Sequence, residues 1–395
     1  MEVTRRNIPV AKPSFDDAEE RLVIESLRSG WVTQGPRVAE FERLVAEFVG
    51  AKEAVAVTSA TTALFLALRV LDIGPGDEVI VPSLSFIATA NSVVHAGATP
   101  VFVDVDPKTY NIDPDLIEPA ITPRTRAIMP VDQLGMPADM DRINEIARRR
   151  KLRVIEDAAC AIGSRYKGRP VGGDGDLVCF SFHPRKVIVT GEGGMITTND
   201  KKLADHLRLL RHQGMSVSDL ERHAADRVII ETYPEVGYNF RMCDIQASLG
   251  IAQMAKLNAF LEKRQAIARV YDRELSQFPQ IEIPFVPKDA TTTYQSYIVR
   301  LRGADARTRN AFLDELHHHC IATRRGLMAI HREPCHANGR ISGSLQHTEA
   351  ATDQTVVLPM YTDLSHEDQM FVIEQIGAAL GRVMGGRSSA GRAAP

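Results

Sequence analysis

At 395 residues the chain exceeds what one small core needs, and one large domain plus a smaller one is the expected plan. With 44% hydrophobic and 25% charged residues and a formal net charge of −3, it reads as an ordinary soluble globular protein with no general attraction to nucleic acid or an anionic membrane. Its five cysteines (160, 179, 243, 320 and 335) form neither a disulfide framework nor a CxxC pair, no apolar run reaches the roughly 18 residues of a membrane helix, and no signal-peptide core is evident, so a reducing cytoplasm is the expected compartment.

From about residue 54 short apolar runs alternate with helical stretches. AVAVTSA precedes TTALFLALRVL, DEVIVPS precedes FIATANSVVHAG, and TPVFVDVD precedes DPDLIEPAI. TRAIMPV leads through a loop to MDRINEIARRR, and KLRVIED closes the series. Val- and Ile-rich runs of this length are buried strands, and their alternation with helices predicts right-handed βαβ units and a largely parallel sheet. DLVCFSF and GGMITTND read as two further strands, followed by a helix at KKLADHLRLLRHQG. Beyond residue 250 the texture changes. A long amphipathic helix (251–275), an alternating strand TYQSYIVRL and two more helices (305–319 and 366–380) predict a smaller α+β domain. The expected division is a large α/β domain over 1–250, the small domain over 251–383, and a disordered Gly/Ser/Ala-rich tail over 384–395.

The chemistry centres on SFHPRKVIVTGEGG (181–194), where Lys186 stands between a serine and a glycine cluster. It reads as a surface lysine, a phosphate contact, or an attachment point for a carbonyl cofactor. VIEDAACAIG places Asp157 at a strand end, where open α/β sheets present ligands; a turn or helix-cap role is the competing reading. A strand-end carboxylate with a nearby lysine suits pyridoxal 5′-phosphate (PLP): the carboxylate keeps the pyridine nitrogen protonated, and the lysine forms the Schiff base. TSATTAL starts a helix whose Ala60 and Thr61 N–H groups suit a phosphate, although plain capping by Ser59 or Thr61 explains the hydroxyls equally well. Ser181 is a further candidate phosphate contact, and Phe86 in PSLSFIATAN either stacks on a flat ring or packs in the core. GEGG matches neither nucleotide-loop pattern and reads as a tight turn. The HHHC run (317–320) cannot converge on one ion from a helix, so no metal is expected.

Six motifs in order, GWVTQGP, TSATTAL, PSLSFIATAN, VIEDAACAIG, SFHPRKVIVTGEGG and GYNFRMCDIQASLG, resemble the DegT/StrS-type nucleotide-sugar aminotransferases, fold type I PLP enzymes. The resemblance covers about residues 8–380. It implies Lys186 as Schiff-base lysine and proton carrier, Asp157 as partner of the ring nitrogen, and Phe86 stacked on the ring. Ala60, Thr61 and Ser181 would hold the phosphate, joined by Asn239 from the other subunit of a homodimer with shared sites. Where this chain has Cys160 the family usually has Gln or His, and it usually has Gly at the position of Ala60. The implied reaction moves an amino group, with L-glutamate as the expected donor, to a keto-sugar nucleotide, giving an amino-deoxysugar for polysaccharide, glycan or secondary-metabolite biosynthesis. Trp31 and Arg241, with Arg325 and His331 in RRGLMAIHREP, are candidates for the sugar-nucleotide side and are equally readable as structural. A PLP-dependent dehydratase or lyase on the same fold, or a non-catalytic regulator, are the alternatives; the intact Lys186/Asp157 pair argues against the regulator.

Overall fold

The structure is a computed structural model that describes residues 6–385 except 219–221, 223–224 and 338; of the expected tail over 384–395, Met384 ends the helix His366–Met384 and the residues from 386 onward lie outside the described residues. An eight-stranded sheet forms its centre, in the order 53–57, 194–198, 177–181, 153–157, 125–128, 78–82, 99–103, 340–341. All pairings from 177–181 to 340–341 are parallel, and the strand Gly194–Thr198 runs antiparallel to both its neighbours. The strands Glu53–Val57 and Leu177–Ser181 therefore share a direction with the parallel set, and their C-terminal ends lie on one edge.

Alternate residues along each strand feed two cores, which is why these strands read as unbroken apolar runs. Val55, Val57, Ile155 and Cys179 pack with the helices Ala60–Val70 and Lys201–Arg211. Ala54, Ala56 and Val178 pack on the other face with Pro36–Val49 and the start of Asp244–Leu275. The stretch 113–121 gives only a 3₁₀ turn and a four-residue helix, Ile117–Ala120, and Pro119 inside it has no backbone donor to extend the ladder.

Two helices precede the first strand, Asp17–Ser29 and Pro36–Val49. Asp16 and Glu19 form a reciprocal capping box on the first. The second begins at Pro36, and its free amides are met by Asp244, whose carboxylate accepts from Gly35, Arg37 and Val38 N–H groups at 2.8, 3.1 and 3.0 Å. The GWVTQGP stretch is thereby tied to the start of the 32-residue helix Asp244–Leu275.

That helix crosses from one core to another: Ala247 and Leu257 pack beneath the large sheet, while Ile267, Tyr271 and Leu275 pack in a second core. The second core lies between a four-stranded antiparallel sheet (281–282, 297–301, 355–358, 324–325) and the helices Ala306–His318 and His366–Met384. Ile8 belongs to it too, bridging to Ile321. Among the described residues no helix is long and apolar enough to cross a membrane.

Candidate active site

Asp157, Ser181, the Ser59–Thr61 turn and Phe86 each sit at or just beyond the C-terminal end of a strand, so the sheet delivers them to one edge. Asp157 is opposite Cys179 in the ladder, and Ser181 closes the same strand opposite Gly194. Gly194 in turn pairs with Val57. A Cβ on Gly194 would lie 2.4 Å from Ser59 O and 2.7 Å from Ala60 N, so only glycine lets this strand approach the helix start. GEGG thus serves close packing against the Ser59–Ala60 turn.

Asp157 is buried. Its Oδ2 accepts from the Thr89 hydroxyl at 2.8 Å and its Oδ1 from Ala159 N–H at 3.2 Å. Burial pushes the carboxyl above its ordinary pKa, while the Thr89 hydroxyl, the Ala159 N–H and the charge of Lys186 pull it down. Such a group favours a partner that carries a proton. Lys186 Nζ lies 3.0 Å from Cys160 Sγ, in a half-buried position. Its backbone N–H donates to His183 O at 2.8 Å, closing a tight turn.

Ser59 is the N-cap of Ala60–Val70: its Oγ accepts from Thr62 N–H, and the Thr62 hydroxyl accepts from Ser59 N–H. Capping therefore occupies Ser59 and Thr62 and leaves the Thr61 hydroxyl out of that role. The N–H groups of Ala60 and Thr61, in the first turn, have no intrahelical acceptor and point toward the strand edge. A buried carboxylate, a half-buried amine and a helix N-terminus on one edge suit a flat, proton-bearing ring with an anionic tail. Phe86 is 57% exposed rather than in the core, which leaves a free aromatic face beside them.

The segment that carries Asn239 runs beside the first strand: Thr58 N–H donates to Phe240 O, and Val57 bridges to Arg241. Tyr238 and Phe240 stack on each other and both meet Phe65 of the helix Ala60–Val70. Alternation along this extended segment turns the exposed Asn239 the other way.

Each of the remaining candidates has a partner within the chain. Arg241 donates to His212 Nδ1 at 3.1 Å, and Trp31 lies against Gly35. Arg325, on the edge strand Arg324–Arg325, pairs with Glu333 at 3.0 Å. His331 has both ring nitrogens in contact, with Ser83 at 2.7 Å and Glu349 at 3.3 Å.

Two contributors escape sequence reasoning. Thr89 holds Asp157; its spacing four residues after Ser85, with which it shares a hydrogen bond, is the only local signal. Gln295 donates to Arg185 O at 2.7 Å and so fixes the backbone next to Lys186 from 110 residues away, a contact with no local signature.

Residues 13–377 match the protein family described as the DegT/DnrJ/EryC1/StrS aminotransferase family. The chain is 40% identical over 380 residues to the spore coat polysaccharide biosynthesis protein SpsC of Bacillus subtilis, covering 95% of this chain and 98% of that one. It is 42% identical over 379 residues to GDP-perosamine synthase of Caulobacter vibrioides, with the same coverage, 95% and 98%. Among solved structures, Spr1654 from Streptococcus pneumoniae in its PLP form superposes with a TM-score of 0.89 at 31% identity, over 96% of this chain and 100% of the other.

Proposed function

The chain belongs to the DegT/DnrJ/EryC1/StrS aminotransferase family and is a PLP-dependent sugar aminotransferase, and from that premise we propose that it moves an amino group from L-glutamate to the keto carbon of a nucleotide-linked sugar. The observation that supports this most directly is the buried, strand-end Asp157 within reach of the charge of Lys186 at one edge of the sheet. When bound, the cofactor supplies a sink for the electron pair left on the amine-bearing carbon. Lys186 Nζ would carry the proton from that carbon to the cofactor's C4′ carbon, and in the second half-reaction from C4′ to the sugar carbon. Asp157 keeps the proton on the ring nitrogen. Ala60 and Thr61 N–H groups and the Ser181 hydroxyl would bind the phosphate and Phe86 would cover the ring, while the Cys160 thiol lies against Lys186.

The test is a screen of keto-sugar nucleotides with glutamate as donor. A GDP-linked sugar comes first, because one relative carries the name GDP-perosamine synthase. The expected result is an amino-sugar nucleotide formed together with 2-oxoglutarate. Release of free ammonia with no amine on the sugar would place the chain among lyases or dehydratases instead.

The site is shared between two subunits in this reading, with Asn239 of the partner subunit completing the phosphate contacts; the outward turn of this exposed residue supports it. Mixing Lys186→Ala with Asn239→Ala protomers, each severely impaired alone, is expected to restore activity, because one site in each mixed dimer keeps both residues. Mixed dimers that form but stay inactive would assign Asn239 to its own chain's site.

A further inference from the structure

Glu156 precedes Asp157 in the strand Arg153–Asp157, so its side chain faces the opposite side of the sheet. Asp132 lies in the adjoining loop, which is tied to Asp157 by backbone alone. Val131 bridges to Asp157, Asp132 N–H donates to Asp157 O at 3.0 Å, and Asp157 N–H donates to Pro130 O at 2.9 Å. Both carboxyls are sealed from solvent, Asp132 at 0% and Glu156 at 1% exposure. Asp132 Oδ1 accepts from Ala138 N–H at 2.8 Å. Asp132 Oδ2 and both Glu156 oxygens have no donor among the described residues, and the two carboxyls interact with each other.

A buried carboxylate without a donor is costly, and a second one beside it doubles the problem. The donor that completes this set is a proton between the two groups. We propose that Asp132 and Glu156 share a proton at neutral pH and, through it, position the strand end that carries Asp157. The placing of Asp157 rests on the role given to it above; the shared proton does not.

Burial raises Asp132 to about 7, with Asp157 and Asp174 adding repulsion. Burial and then the charge of Asp132 raise Glu156 well above the carboxylate range. The other groups facing the pair are Asp174, itself held by Arg169 at 3.2 Å, and the buried Cys179 thiol. The folded chain therefore holds the proton more tightly than the unfolded chain. This contribution to stability is full below the ordinary carboxylate range and is lost as pH rises through the folded value near 7. Once the proton leaves, two anions are sealed together and the loop that grips Asp157 must give way.

Infrared spectra of the holoenzyme test the proton directly. The expected spectrum contains a protonated-carboxyl stretch near neutral pH that shifts in D2O and fades on raising the pH. Asp132→Asn and Glu156→Gln should each abolish it, because an amide N–H then supplies the donor and the remaining carboxyl ionises. The denaturation midpoint of the wild type should fall as pH rises from about 4 to about 7, and that slope should flatten in both variants. Positioning is read from the cofactor dissociation constant: Asp132→Asn should stay within about threefold of wild type, whereas Asp132→Ala, which leaves Glu156 without a donor, should weaken binding by at least about tenfold. A wild-type spectrum without the band would mean that both groups are ionised around water or an ion, and would overturn the shared proton. Equal losses in Asp132→Asn and Asp132→Ala would overturn the positioning role, and Asp157→Asn judges the role of Asp157 separately.

Discussion

Lys186→Ala should lose at least about a thousandfold in turnover, ~4 kcal/mol of transition-state stabilisation. Lys186 is the amine that meets Cys160 at 3.0 Å, and its charge is felt by Asp157. The variant should still bind PLP, because the helix start at Ala60 and Thr61, the Ser181 hydroxyl and Asp157 are untouched. Lys186→Arg should not rescue it: a guanidinium stays protonated, so it can neither attack a carbonyl nor accept the proton. Borohydride reduction of the wild-type holoenzyme, followed by peptide mass mapping, should leave the cofactor's mass on the peptide containing Lys186. An adduct on another lysine would refute the assignment.

What the residues disclosed depended on how far each signal reached along the chain. The parallel strands were legible because both faces are buried, as with Val55 and Val57 on one side and Ala54 and Ala56 on the other. Their order was not, and the antiparallel insertion of Gly194–Thr198 between two strands of like direction has no local mark. The two N-terminal helices carry a weaker sequence signal, the Asp16 and Glu19 capping box on the first, than the apolar runs from residue 54 onward.

The candidate site divided in the same way. Asp157, Ser181 and the Ala60–Thr61 turn each end a strand, so local order alone places them on one edge. The question left open at the helix start was decided by geometry, with Ser59 and Thr62 forming the cap. Arg325 and His331 are readable from sequence as substrate contacts or as structural residues, and their partners Glu333, Ser83 and Glu349 come from segments that no local pattern connects. Thr89, Gln295 and the Asp132–Glu156 pair act only through packing of distant segments, and a reading confined to neighbours along the chain does not reach them.

Asp157→Asn is expected to slow turnover by at least about a hundredfold, ~2.7 kcal/mol at the barrier. Asparagine keeps the shape and an oxygen for the Thr89 hydroxyl or the Ala159 N–H, so the local fold should survive. Removing a charge that burial disfavours should leave the denaturation midpoint unchanged or raised, which separates a chemical loss from a folding one. What the variant lacks is the negative charge that holds a proton on the ring nitrogen, and with it the stabilisation of the electron pair left on the substrate carbon. The sign of the pH effect follows from the raised carboxyl. Activity needs Asp157 ionised, so in the wild type kcat/KM should fall as pH drops through its elevated pKa, and the asparagine variant should lack that acid limb. An asparagine variant with near-normal turnover and an unaltered acid limb would reduce Asp157 to a turn residue that accepts from Thr89 and Ala159, with the ring nitrogen left to some other partner.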